Sequence, residues 1–331
     1  MKSFKLIIIA AVTAVVHLSA TALADQDIEN DPLLALHGAG EYIETIHGKL
    51  YYETEGSGPV VMLVAGGPGS GHASFHPWFS RLADDHTVIY FDNIGRGRSD
   101  RLVDNSMYTV ERDAEDIEAL RKALGIEQFA LIGHSYGGMP ALAYAAKYSN
   151  RLTRLVLSDT IHSGEGWQQN IDSANNIARN QFPEVWRSLM EMREQGVLSS
   201  ADAYANPYGG ALGDLYWHDF GKRKLLFRSG QPEDAFNGDV YFAILGDDPE
   251  WKVGGPMATF DPRQKLAEID TKVLIAVGRY DRVATPKIAF ELFDVFDADN
   301  AEIVVFENSA HRPWIEESDV YFERIGEFLA E

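Results

Sequence analysis

The sequence predicts an α/β fold with a mostly parallel sheet of eight strands, helices on both faces and an inserted helical segment. Three observations carry this. Short runs rich in Val, Ile and Leu alternate with helical patterns, the signature of βαβ units. Several of those runs are apolar throughout, as strands buried on both faces must be. The alternation then stops for about a hundred residues and afterwards resumes.

In chain order, Tyr42–His47 and Leu50–Glu55 read as an antiparallel hairpin turning near Gly48. Val60–Ala65, Thr87–Asp92, Gln128–Gly133, Arg154–Ser158, Lys272–Gly278 and Glu302–Phe306 supply the remaining six strands. Between them, Thr109–Leu124 places Val110, Ile117, Leu120 and Leu124 on one stripe, with acids early and Arg121 and Lys122 late, an order that suits the helix dipole. Ala141–Tyr148, Pro286–Phe296 and Trp314–Leu329 are the other core helices. The interruption contains helical patterns at Asn170–Asn180, Pro183–Gln195, Ser199–Tyr204 and Asp214–Phe220, and four of the six tryptophans. We therefore expect a core of residues 25–159 and 261–331, with residues 160–260 forming a helical cap over the sheet's C-terminal edge, where open α/β sheets bind ligands.

Residues 1–24 read as a signal peptide: Lys2 and Lys5, an 11-residue apolar run from Leu6 to Val16, and the small-residue site Ala22-Leu23-Ala24. The run is shorter than the roughly 20 residues a spanning helix needs. The mature protein is expected to be exported, periplasmic or secreted, and free of the membrane. Net charge is −21, becoming about −23 without the two leader lysines, which argues against nucleic acid or anionic membrane as partners. The chain has no cysteine, so disulfides, thiol nucleophiles and thiolate metal sites are excluded.

Chemistry concentrates in three places. Gly133-His134-Ser135-Tyr136-Gly137 follows a strand and opens a helix, the context of a nucleophile elbow that lifts the serine hydroxyl above the sheet edge. A serine needs a base, and the base an orienting carboxylate, in the chain order Ser, acid, His. Asp281, three residues past the strand ending at Gly278, and His311, past the strand ending at Phe306, satisfy that order. Asp159, also at a strand end, is a competing acid. Ala65-Gly66-Gly67-Pro68-Gly69 leaves the third strand, where Gly67 N–H would join that of Tyr136 in holding an oxyanion. The Gly66–Gly71 stretch lacks the Gly-Lys-Ser/Thr ending of a phosphate loop, and Gly95-Arg96-Gly97-Arg98-Ser99 lacks the last glycine of a dinucleotide fingerprint and reads as a structural loop. No cofactor or metal is called for.

Gly66-Gly67-Pro68-Gly69, the Asp92–Ser99 stretch, Gly133–Gly138 and the Asp281/His311 pair together resemble the proline iminopeptidase branch of the α/β hydrolases. That resemblance implies removal of N-terminal residues, often proline, from short peptides, without metal or organic cofactor. It also implies cap glutamates that hold the substrate's free amine. Glu250, in Asp248-Pro249-Glu250-Trp251, is similar to one of them; for a second, the Arg228-Ser229-Gly230 stretch has glycine, with Glu233 nearby. The residue after the nucleophile is Tyr136, where the family often has tryptophan. The alternatives are a hydrolase of small esters, lactones or amides, and a binding protein that kept the fold without catalysis.

Overall fold

The computed structural model describes residues 6–8 and 40–331. The leader expectation falls on residues 1–24, of which only the three-residue strand β1 (Leu6–Ile8) is among those described. All eight strands read from the sequence are present: β2 (Glu41–Thr45), β3 (Gly48–Gly56), β4 (Val60–Val64), β5 (Thr87–Phe91), β6 (Phe129–His134), β7 (Leu152–Ser158), β8 (Lys272–Gly278) and β9 (Ala301–Phe306). They form one sheet in the order β1-β9-β8-β7-β6-β4-β5-β3-β2. β2 and β3 form the antiparallel hairpin, β3 runs antiparallel to β5, and every other pairing is parallel.

The core helices are α1 (Val110–Ala123) and α2 (Gly138–Tyr148). Between β7 and β8 come α3 (Gly164–Gln181), α4 (Pro183–Glu194), α5 (Asp202–Leu212), α6 (Gly238–Leu245) and the single turn α7 (Arg263–Leu266). α8 (Pro286–Phe293), α9 (Pro313–Glu316) and α10 (Ser318–Ala330) follow. Among the described residues no helix is long and apolar enough to cross a membrane.

Strand alternation sorts the interior into two layers. Met62, Leu131, Leu155, Ile275 and Ile303 face α1, α2 and α8, whereas Val61, Ile132, Val156, Leu274 and Val304 face Phe75, Phe79, Trp314 and Tyr321. Most of these side chains are fully enclosed, each worth roughly 1.5–3 kcal/mol of transfer free energy. The insertion has a small core of its own around Leu189, Tyr204, Tyr208 and Leu215, while Trp167 and Ile171 of α3 and Val240 and Ile244 of α6 join the main core.

Two expectations need correction. Trp314–Leu329 is not one helix, because Glu317 leaves helical geometry (φ −130°, ψ 51°) where its carboxylate accepts hydrogen bonds from the Asn308 N–H and the Ser309 hydroxyl. Asp214–Phe220 is not α-helical: two 3₁₀ turns, Gly213–Tyr216 and Phe220–Leu225, replace it.

Chain order positions the site. β4 lies between β5 and β6, so the chain leaves β4 to one side and β6 to the other. Such a reversal opens a crevice at the carboxyl ends of the two strands, the ordinary ligand position in this class of sheet. The loop after β4 is anchored from beneath. His72 donates its backbone N–H and Nδ1–H to Asp92, each at 2.8 Å, and its Nε2 lies 3.3 Å from Glu53 of β3. The two carboxylates push the buried imidazole up to about 10, so His72 is a cation. His76 lies near the same Glu53, and the three side chains have the composition of a metal site. Held between Glu53 and Asp92, His72 ties the loop after β4 to β3 and to the end of β5.

Candidate functional site

Four neighbouring parallel strands deliver the candidate side chains to one edge: Ser135 after β6, Asp159 after β7, Asp281 after β8 and His311 after β9. Ser135 has φ +53°, in the left-handed region that L-residues avoid, and the chain turns there from strand into a 3₁₀ turn and then α2. Such a conformation costs on the order of 1–3 kcal/mol and persists only where surroundings over-determine it. Here Gly137 packs so tightly that a Cβ would lie 2.2 Å from the Val64 carbonyl oxygen. The Thr160 hydroxyl donates to the Ser135 carbonyl at 2.6 Å.

The sequence-predicted residues meet. His311 Nε2 lies 2.9 Å from Ser135 Oγ, and His311 Nδ1 lies 2.8 Å from Asp281 Oδ2. Asp281 Oδ1 accepts the N–H groups of Val283 and Ala284 at 2.7 and 3.0 Å. Burial, reinforced by the positive charge of Arg312, holds His311 well below its ordinary pKa, so the ring is neutral at pH 7 with Nδ1–H directed at Asp281 and Nε2 free to accept.

Asp159 is the residue the sequence left as a competitor, and it sits beside Asp281 with φ +48°. It accepts from the Gly278 N–H at 2.9 Å and the Ser158 hydroxyl at 2.9 Å. Burial raises both carboxyls, and their proximity forbids two charges. Asp281 has two backbone donors and the imidazole N–H, so it keeps the charge and Asp159 carries the proton.

The loop after β4 lies directly above. A Cβ on Gly66 would sit 2.8 Å from the Ser135 Cβ, so only glycine lets this strand end approach so closely. Gly67, next in the chain, has φ +75°. A network invisible to motif reading ties this loop to the elbow. Arg96 Nε donates to the Pro68 carbonyl at 2.5 Å, its two terminal nitrogens grip Asp113 at 2.6 Å each, and the Tyr136 hydroxyl donates to the same carboxylate at 2.6 Å. All three side chains are buried. Removing one partner of such a pair costs roughly 3–5 kcal/mol. The Gly95–Ser99 stretch is thus structural, as expected.

Glu250 follows the turn after α6. It accepts from the Tyr241 hydroxyl at 2.8 Å, and burial raises its pKa. Glu233 lies on an exposed turn, and its neighbour Asp234 instead accepts from Ser229 and faces Arg98. Tyr216 packs edge-on against His311, with ring centroids 5.1 Å apart, and its hydroxyl is reached by the charges of Arg312, Glu250 and Asp281.

The family model described as "alpha/beta hydrolase fold" matches residues 59–318. The chain belongs to the α/β hydrolase family. It is 30% identical over 285 residues to a proline iminopeptidase of Heyndrickxia coagulans, covering 84% of this chain and 93% of that protein. It is also 30% identical over 292 residues to a proline iminopeptidase of Saccharolobus solfataricus, covering 86% and 88%. The crystal structure of a proline iminopeptidase from Mycobacterium smegmatis superposes with TM-score 0.69 at 21% identity, covering 88% of this chain and 98% of that one. This α/β hydrolase is therefore proline iminopeptidase-like, and an enzyme of the serine hydrolase type.

Proposed function

We propose that this α/β hydrolase is exported and removes N-terminal residues, proline among them, from short peptides by an acyl-enzyme mechanism. The observation that carries the reading is the unbroken chain from Ser135 Oγ through His311 to Asp281, at 2.9 and 2.8 Å. Ser135 Oγ attacks the substrate carbonyl carbon as His311 Nε2 takes its proton. The N–H groups of Tyr136 and Gly67 hold the developing oxyanion, beside the N-terminus of α2. Collapse of the intermediate breaks the C–N bond, and His311 returns the proton to the departing amine. Water then gives a proton to His311 and attacks the ester carbon, releasing the acid and restoring the Ser135 hydroxyl. Asp281 accepts Nδ1–H throughout and stabilises the transient imidazolium.

The peptide reading draws on the relatives and on Glu250, a carboxylate held by a tyrosine where it can pair with a substrate ammonium. Helices α3 to α6 serve as the cap that restricts entry to small molecules and chain ends. Export rests on the leader-like first 24 residues, with the periplasm or the medium as destination.

The test is a paired assay of mature protein and Ser135→Ala on proline arylamide, N-acylated proline arylamide and a short aryl ester. We expect Ser135-dependent turnover of the free-amine arylamide, its loss on acylation, and a rise in KM for Glu250→Gln. Turnover of the ester alone would replace the peptidase reading with that of a small-ester hydrolase.

A further inference from the structure

Beyond the reactive residues lies a cavity of about 810 Å³ between the 213–228 segment and Arg312. Its charge runs against that of the chain. Acidic residues outnumber Lys and Arg by 50 to 29, yet this cavity is lined by Arg223, Lys224, Arg228 and Arg312 and by no acid. Arg223 is neutralised by Asp214 at 3.0 Å. Arg312 is not: among the described residues its guanidinium makes no ion pair, and it stacks on Tyr216 and Trp217 at 5.0 and 5.1 Å from the ring centroids. Asp281 and Glu316 are the carboxylates whose charges reach it, and both are committed elsewhere, Asp281 to His311 and Glu316 to the N–H groups of His218, Asp219 and Ala310. Arg228 adds a second positive charge nearby and forms no ion pair among the described residues.

The exposed Arg228 adds its positive charge to that of the more enclosed Arg312, and an anion held between the two would relieve their repulsion. Two aromatic rings fix the Arg312 guanidinium in place, so little side-chain entropy is lost when it grips a planar oxyanion. The cavity adjoins the reactive centre, because Arg312 follows His311 in the chain and Tyr216 contacts both residues.

We propose that Arg312 and Arg228 form a carboxylate-binding subsite that selects substrates whose leaving group carries a negative charge. Joined to the peptidase reading, on which this extension rests, the substrate is a short zwitterionic peptide. Its amine sits at Glu250 and its C-terminal carboxylate at the arginines, with Tyr216 between the two.

The experiment compares kcat/KM for matched pairs that differ in one charge: prolyl-alanine against its C-terminal amide, and 4-acetoxybenzoate against 4-acetoxybenzamide. Wild type is expected to favour the carboxylate member of each pair it turns over by at least tenfold, chiefly through KM. Arg312→Gln and the exposed Arg228→Gln should each reduce that ratio several-fold, and Arg312→Lys should retain part of it. Carboxylate preference on the esters with neither peptide cleaved would sink the peptidase reading and leave the subsite standing. Equal handling of both members in wild type, or an equal loss on both in the two glutamine variants, would overturn the subsite.

Discussion

Ser135 and Asp159 are the described non-glycine residues with backbone in the left-handed region, and both stand at strand ends on the same edge of the sheet. Strain stored at two such positions marks where the fold gives up local stability to aim side chains. The two carboxyls behind the imidazole then have unequal duties. On the proposed mechanism Asp281, ionised, orients His311, while Asp159, protonated, lets a second carboxyl occupy the interior without adding charge. Asp281→Asn is therefore expected to lower kcat by up to about 10⁴, the scale of a wrong imidazole tautomer. Asp159→Asn, which preserves a neutral hydrogen-bonding group, should cost less than tenfold. A larger loss at Asp159 would assign the orienting role to it. The pH profile follows from His311. In the proposed mechanism its neutral form is the base, and burial together with Arg312 depresses its pKa. The acid limb of kcat/KM should fall below pH 6.5, with activity present above it and lost as pH drops through it. A limb above that value would contradict the buried, neutral base.

At the scale of elements, stability and site geometry depend on ties between loops. Glu53 of β3, His72 in the loop after β4 and Asp92 after β5 form one buried charge network. Since the folded pKa of His72 is pushed up to about 10, above the 6.5 of an unfolded histidine, its contribution is fully present below about pH 6.5 and lost as pH rises through about 10. Urea midpoints should therefore fall between pH 7 and 10. His72→Gln should be less stable at pH 7 and show a smaller fall over that range. A wild-type midpoint flat to pH 10 would mean His72 is neutral. Strand positions were legible because near-continuous Val, Ile and Leu runs leave little choice of structure. Helix α6 was not: Gly238–Leu245 reads Val-Tyr-Phe-Ala-Ile-Leu after its polar start, apolar on all sides and without a helical period. The break between α9 and α10 was also hidden, because it arises from Glu317 reaching Asn308 and Ser309, a contact no local pattern announces.

For the molecule as a whole, the meeting of Ser135, His311 and Asp281 was readable because motif, chain order and strand ends constrain one another. Ser135, Asp281 and His311 lie 30 to 176 residues apart and still meet at hydrogen-bonding distance. What escaped was everything defined by pairing alone. The Arg96–Asp113–Tyr136 network couples the β4 loop to the elbow without any spacing rule, and Arg312, which makes no ion pair among the described residues, is notable only when its surroundings are known. The central claim is that Ser135 is the nucleophile of an acyl-enzyme mechanism. Intact-mass analysis after treatment with a fluorophosphonate tests it most directly. One adduct per chain, mapped to Ser135 and absent from Ser135→Ala, is the predicted result; no adduct on the wild-type protein, or one that persists in the variant, would contradict it.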